Sequence, residues 1–135
     1  MSLLVDANVL SEATKPKPDP RIVSWLRKNQ AAIVVDPVIV GELRFGILRL
    51  SRGARRRKLE EWFETGIRLL ECVPWDVSTG LRWAALLAEL RARGRAMPIK
   101  DSLIAATALV HGFPLVTLNL RDFEPARVEI VDPRE

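Results

Sequence analysis

The chain contains no tyrosine, one cysteine and one histidine among its 135 residues. A single cysteine, Cys72, excludes an internal disulfide and a cysteine-rich zinc site, reads as a small buried hydrophobe, and fits a reducing cytoplasm. One histidine and no tyrosine leave little for chemistry that needs a side-chain base and acid both titrating near neutrality. His111 stands at a helix end just before Gly112, where dipole and capping roles suffice. No apolar run is long enough to span a bilayer, and the opening "MSLLVDANVLSE" meets an acid at Asp6 before any signal-length apolar core. Neither membrane insertion nor export is therefore expected. Repeats, low-complexity tracts and interdomain linkers are also missing, so residues 1–135 read as a single domain.

What is present is the balance of an ordinary folded protein: 48% hydrophobic and 28% charged residues. A chain of this length buries roughly two thirds of the surface that its unfolded form exposes, so no staple is required. The formal net charge is +4 and the sequence pI about 9.8, which favours polyanionic partners such as nucleic acid.

Strands and helices alternate along the chain. Leu3-Leu4-Val5 reads as a strand buried on both faces, ending at Asp6. After the "KPKPDP" loop, Asp19 is a candidate N-cap and Pro20 a first helical residue for a helix to Asn29 that buries Ile22, Trp25 and Leu26. "AAIVV" is a second strand, closed by Asp36-Pro37. From Val38 to Leu50 the spacing of Ile39, Leu43, Ile47 and Leu50 is helical, with Glu42 beside the stripe. A helix resumes after Gly53 carrying Leu59, Trp62, Phe63 and Leu70, followed by a brief strand at Cys72-Val73. Val77–Arg93 is a helix in which Leu81, Ala84, Ala85 and Ala88 suit close packing, and it ends at Gly94. A helix over "PIKDSLIAATALVHG" carries Asp101 in its first turn. Strands over "FPLVTL" and "VEIV" complete the chain. Such alternation implies right-handed crossovers and a mainly parallel sheet of about five strands, with helices on both faces.

In sheets of this kind ligands bind outside the carboxyl ends of the strands. Asp6 lies at one such end, and Asn119 with Asp122 follows another; Glu42 and Asp101, each in a helix near its start, can lean over the same rim. Each acid alone has a bland explanation as a strand end, helix cap or solvated face. Together they repel: two carboxylates ~4 Å apart cost on the order of 4 kcal/mol at an effective dielectric of ~20. A divalent cation offsets that cost, and an oxygen-only donor set without a histidine or cysteine cluster selects hard ions such as Mg²⁺ or Mn²⁺.

The segments "LLVDANVLSE", "VIVGELRFGI", "KDSLIAATA" and "VTLNLRDFE" occur in the order and spacing of PIN-domain proteins. Across nearly its whole length the chain resembles a VapC-type toxin of a type II (VapBC) toxin-antitoxin pair. That resemblance implies a PIN-like three-layer α/β/α fold and a metal-dependent ribonuclease that cuts RNA with water and is restrained by a cognate antitoxin. It also implies which residues do the work. Asp6 and Asp101 match the principal metal-binding acids, Glu42 the acid of the "ELR" segment, and the fourth position falls to Asp122 or Asn119. Asn8 is expected to support the site by a hydrogen bond to a carboxylate. Two departures stand out: Ala7, where relatives often carry a hydroxyl, and Asn119, where many carry an acid.

The family further implies a homodimer, a toxin-antitoxin hetero-oligomer with the antitoxin tail in an apolar groove, and DNA contact mainly through the antitoxin. Arg55, Arg56 and Arg57 in "RGARRRKLEE", and Arg91, Arg93 and Arg95 in "RARGR", are candidate RNA-backbone contacts, although such runs are equally at home on a solvated helix face. Trp25, Trp62, Trp75 and Trp83 read as core or interface residues. The competing function is a catalytically degenerate PIN-like module that only binds RNA or a partner protein. A haloacid-dehalogenase-like phosphatase is disfavoured because Asn8 stands where its second aspartate belongs, and a response-regulator receiver because the paired acids and late lysine are missing.

Overall fold

Five short runs, Leu3–Val5 (β1), Ile33–Val35 (β2), Glu71–Cys72 (β3), Leu115–Val116 (β4) and Ile130–Val131 (β5), form one sheet in the order β3-β2-β1-β4-β5. Every adjacent pair is parallel, with Leu3 opposite Ile33 and Leu4 opposite Leu115. The computed structural model describes residues 1–135. β1, β2 and β4 are wholly buried, as the apolar runs covered on both faces require.

Seven helices join the strands: Ala7–Leu10 (α1), Pro20–Lys28 (α2), Pro37–Leu48 (α3), Ala54–Thr65 (α4), Val77–Ala92 (α5), Ile99–His111 (α6) and Leu120–Phe123 (α7). Their limits follow from cap chemistry. The Asp19 carboxylate accepts from Arg21 N at 2.9 Å with Pro20 as first helical residue of α2. Asp36 accepts from Ile39 N at 2.9 Å and starts α3. α6 stops at Gly112, whose φ of +68° suits glycine. His111 stacks on Phe113 with ring centroids 5.0 Å apart, a packing role at the helix end.

From β1 the chain steps outward to β2 and β3, then returns across the sheet to β4 on the other side of β1. With right-handed crossovers this reversal assigns the two groups of connections to opposite faces, and it makes the crevice between the carboxyl ends of β1 and β4 the topological switch point. The fold is the expected α/β one with a five-stranded parallel sheet.

Three local readings are corrected. Cys72 is exposed, because β3 is an edge strand hydrogen-bonded only to β2. In α5 the inward residues are Thr79, Leu86 and Leu90; Leu81 is 68% exposed and Ala84, Ala85 and Ala88 face outward with it. Two indoles go with that rotation: within α5 Trp83 Nε1 donates to Ser102 Oγ at 2.9 Å, and just before the helix Trp75 Nε1 donates to the Leu103 carbonyl at 3.2 Å. The larger leucines then take the buried side and the alanines the open one. Finally, β2 begins at Ile33, since Ala31 and Ala32 belong to a 3-10 turn, and the short α1 follows Asp6 directly.

Candidate active site

Asp6 is held at the carboxyl end of β1 by both of its oxygens. Oδ1 accepts from Ala7 N at 2.8 Å, starting α1, and Oδ2 accepts from Thr117 Oγ1 at 2.8 Å across the switch point. The Thr117 hydroxyl is used to capacity: besides donating to Asp6 it accepts from Asn119 N at 3.0 Å and, more weakly, from Asn8 Nδ2 at 3.5 Å. Asn8 Oδ1 in turn accepts from Leu118 N at 3.3 Å. Asn8 therefore braces the turn after β4 and reaches the carboxylate only through Thr117. Thr117 also supplies a hydroxyl to Asp6 despite Ala7.

Asp101 is buried in the first turn of α6. Burial raises its pKa to about 6, with the charges of Asp6 and Asp122 adding to the effect. Asp6 is also raised, chiefly by burial and further by Glu42, against the opposing Thr117 hydrogen bond. Glu42, one turn into α3, gives one oxygen to Lys100 Nζ at 2.8 Å; its other oxygen, Oε1, is shielded from solvent and has no hydrogen-bond partner. Asn119 and Asp122 are exposed beyond β4, and the Asn119 side chain makes no capping bond.

Three carboxyl groups, Glu42, Asp101 and Asp6, thus act on one ammonium group, and Asp122 acts on Asp101. They converge without closing: no three are near enough to share an ion as they stand. The donor chemistry, oxygen only and mutually repelling, suits a hard divalent cation, and the partnerless Glu42 oxygen is a free ligand for one. Asp6, Asp101, Glu42 and Asp122 are the residues that could hold it.

Besides Thr117, two residues not anticipated from the sequence tie the site together. Asp36, fully buried, accepts from Thr107 Oγ1 at 2.7 Å while capping α3, which links the helix bearing Glu42 to the helix bearing Asp101. Burial raises the Asp36 pKa, partly offset by those same bonds. Lys100 is the other.

Of the candidate RNA contacts, Arg55 lines a groove of about 550 Å³ together with Asn8, Glu42, Lys100, Phe45 and Trp62. Arg57 and Arg91 are exposed. The others are engaged within the chain: Arg56 with the Leu50 carbonyl and Glu60, Arg93 with the Pro125 carbonyl at 2.6 Å, and Arg95 with Glu124 at 4.0 Å. No helix is long and apolar enough to cross a membrane.

The family model of the PIN domain matches residues 3–128. "VapC ribonuclease Y4jK" of Sinorhizobium fredii is 30% identical over 137 residues, covering 98% of each chain. Among solved structures, the crystal structure of FitAcB from Neisseria gonorrhoeae superposes with a TM-score of 0.90 at 30% identity, covering 97% of each chain. The structure of FitAB bound to the IR36 DNA fragment gives 0.92 at 28% identity, covering 98% of this chain and 96% of that one. Similarity of this extent, over both sequence and fold, makes this chain a member of the PIN-domain family, in its VapC-type branch.

Proposed function

We propose that this chain is the toxin of a type II toxin-antitoxin pair and a Mg²⁺- or Mn²⁺-dependent endoribonuclease. The observation that carries this reading is electrostatic. Buried Asp101 and Asp6 are both pushed toward protonation at the switch point, while a shielded Glu42 oxygen is left without a partner. Such an arrangement costs stability in a metal-free protein and is worth keeping for a cation. Asp6 and Asp101 are the principal ligands, joined by Glu42 and by Asp122, whose charge already acts on Asp101.

When bound, a divalent ion supplies an activated water and neutralises charge on the phosphoryl group in transfer. The side chains do the rest. Thr117 holds Asp6 in one orientation through Oδ2, and Ala7 N fixes the other oxygen. Asn8 keeps the β4–α7 turn at its distance, so that Asp122 faces the site. Arg55, Arg57 and Arg91 offer charge to the RNA backbone.

The cognate VapB-type antitoxin places its tail in the groove past Phe45 and Trp62. Phe45 is 62% exposed there, an apolar surface suited to a partner segment. The relative FitAB is a complex bound to DNA, which supports a hetero-oligomer whose DNA contact comes through the antitoxin. The outward stripe Val77, Leu81, Ala84, Ala85 and Ala88 on α5 supports a homodimer.

The test is incubation of the purified chain with a mixed RNA pool, including transfer RNA, in Mg²⁺, in Mn²⁺ and in chelator. The expected result is cleavage that needs the metal and leaves 5′-phosphate ends. A folded, metal-replete protein that cuts nothing would instead be a binding module.

A further inference from the structure

Lys100 stands one residue before Asp101 and lines, with Glu42, the groove beside the acids. Its ammonium lies 2.8 Å from Glu42 Oε2 and close enough to Asp101 and Asp6 for their charges to act on it. Its side chain is 52% exposed, and Glu42 is its only hydrogen-bonding or ion-pairing partner. In the metal-free protein it therefore supplies the positive charge that these carboxyls lack. A divalent ion among the same carboxyls changes the balance: Glu42 is drawn to the ion, and the ammonium is repelled by twice its own charge. The flexible four-carbon stem lets the group swing toward solvent and the groove without disturbing α6.

Resting on the metal-site reading above, we infer that Lys100 is an exchangeable counter-charge: it holds Glu42 in the metal-free protein, yields it to the divalent ion, and then binds an RNA phosphate beside the scissile bond. Lys100 is then a substrate-positioning residue whose second partner is the polyanion itself. Lysine suits the task, because a compact charge on a rotatable stem can change partners. It lines one groove together with Glu42, Arg49 and Arg55, so a polyanion lying in that groove meets its charge beside the acids.

The variants Lys100→Met and Lys100→Arg separate these roles, and the exposure of the side chain makes both tolerable to the fold. Three quantities are read on the full chain. Mn²⁺ affinity by titration calorimetry is expected to rise about fivefold in Lys100→Met, the factor by which a unit charge ~4 Å from the Glu42 carboxylate competes for it at the dielectric of water. Thermal stability in chelator is expected to fall in Lys100→Met and to be kept in Lys100→Arg. With bulk transfer RNA as probe, the apparent KM of Lys100→Met is expected to rise about tenfold with little change in kcat, as loss of a charged contact made equally in ground and transition states requires. Lys100→Arg is expected to restore KM. Wild-type Mn²⁺ binding that depends on Asp6, with unchanged or weaker Mn²⁺ affinity in Lys100→Met, would overturn the role of Lys100 alone. Mn²⁺ binding indifferent to Asp6→Asn would overturn the metal site and, with it, this inference.

Discussion

Replacing Asp101 by asparagine is expected to stabilise the metal-free protein while abolishing its activity. The Asp101 carboxyl has a pKa of about 6 in the folded chain against an ordinary value of 3.8. In the unfolded chain it ionises freely. Between those two values the folded state holds more protons than the unfolded one, so stability falls as pH rises through that window and the whole penalty is present above it. A gap of about 2 pH units at ~1.4 kcal/mol per unit makes the penalty about 3 kcal/mol near neutral pH, and about half that at pH 5. Asparagine carries no charge to repel Asp6 and Asp122, so a gain of ~1–3 kcal/mol remains after its amide has found partners. For a domain of this size that is a rise in Tm of roughly 3–10 °C. The assay is thermal unfolding in chelator of both proteins near pH 7.5 and pH 5. Adding Mn²⁺ should then raise the wild-type Tm more than that of the variant. A variant no more stable than wild type near pH 7.5, or one with the same gain at both pH values, would refute the electrostatic reasoning.

Thr117→Val keeps the shape of the side chain but removes the hydroxyl that serves Asp6 and Asn119 N. A stability loss of about 1–2 kcal/mol in urea is expected, together with a fall in cleavage rate of at least about tenfold as Asp6 loses its orientation. Asp36→Ala removes a helix cap and leaves the buried Thr107 hydroxyl unpaired. It should cost about 2–3 kcal/mol, seen as a lower urea midpoint at unchanged slope. Leu81→Glu puts a charge in the outward stripe of α5. Sedimentation analysis should show the proposed dimer dissociating, and a dimer that survives the change would place the interface elsewhere.

Much of the site could be read from the sequence because its acids sit at punctuation points. Asp6 ends a three-residue apolar run, and such a run has one place to go in a parallel sheet. Asp101 follows Pro98 at the start of a helix whose end is marked by Gly112. The partners of those acids were less legible. Thr117 lies 111 positions from Asp6, and only the crossing of β4 beside β1 brings its hydroxyl to the carboxylate. Lys100 reads locally as one more surface charge; its bond to Glu42 spans 58 positions. Asp36 reads only as the close of a strand, and its bond to Thr107 depends on α6 passing the end of β2. The helix α5 was misread for a different reason. It carries apolar residues nearly all round, and its inward stripe goes with indole hydrogen bonds to α6, from Trp83 within the helix and Trp75 just before it, which periodicity does not register. Cys72 shows the same limit: burial follows from strand order, and a short apolar pair does not reveal that it lies at an edge.

The most direct measurement is an anomalous difference map from crystals soaked in Mn²⁺ at neutral pH. The expected result is a peak at the switch point, coordinated by the carboxylates of Asp6 and Asp101 and joined by Glu42, with Lys100 displaced from it. A saturating soak that leaves this position without a peak, or that places Mn²⁺ only at sites away from Asp6 and Asp101, would contradict the metal-dependent reading at its centre.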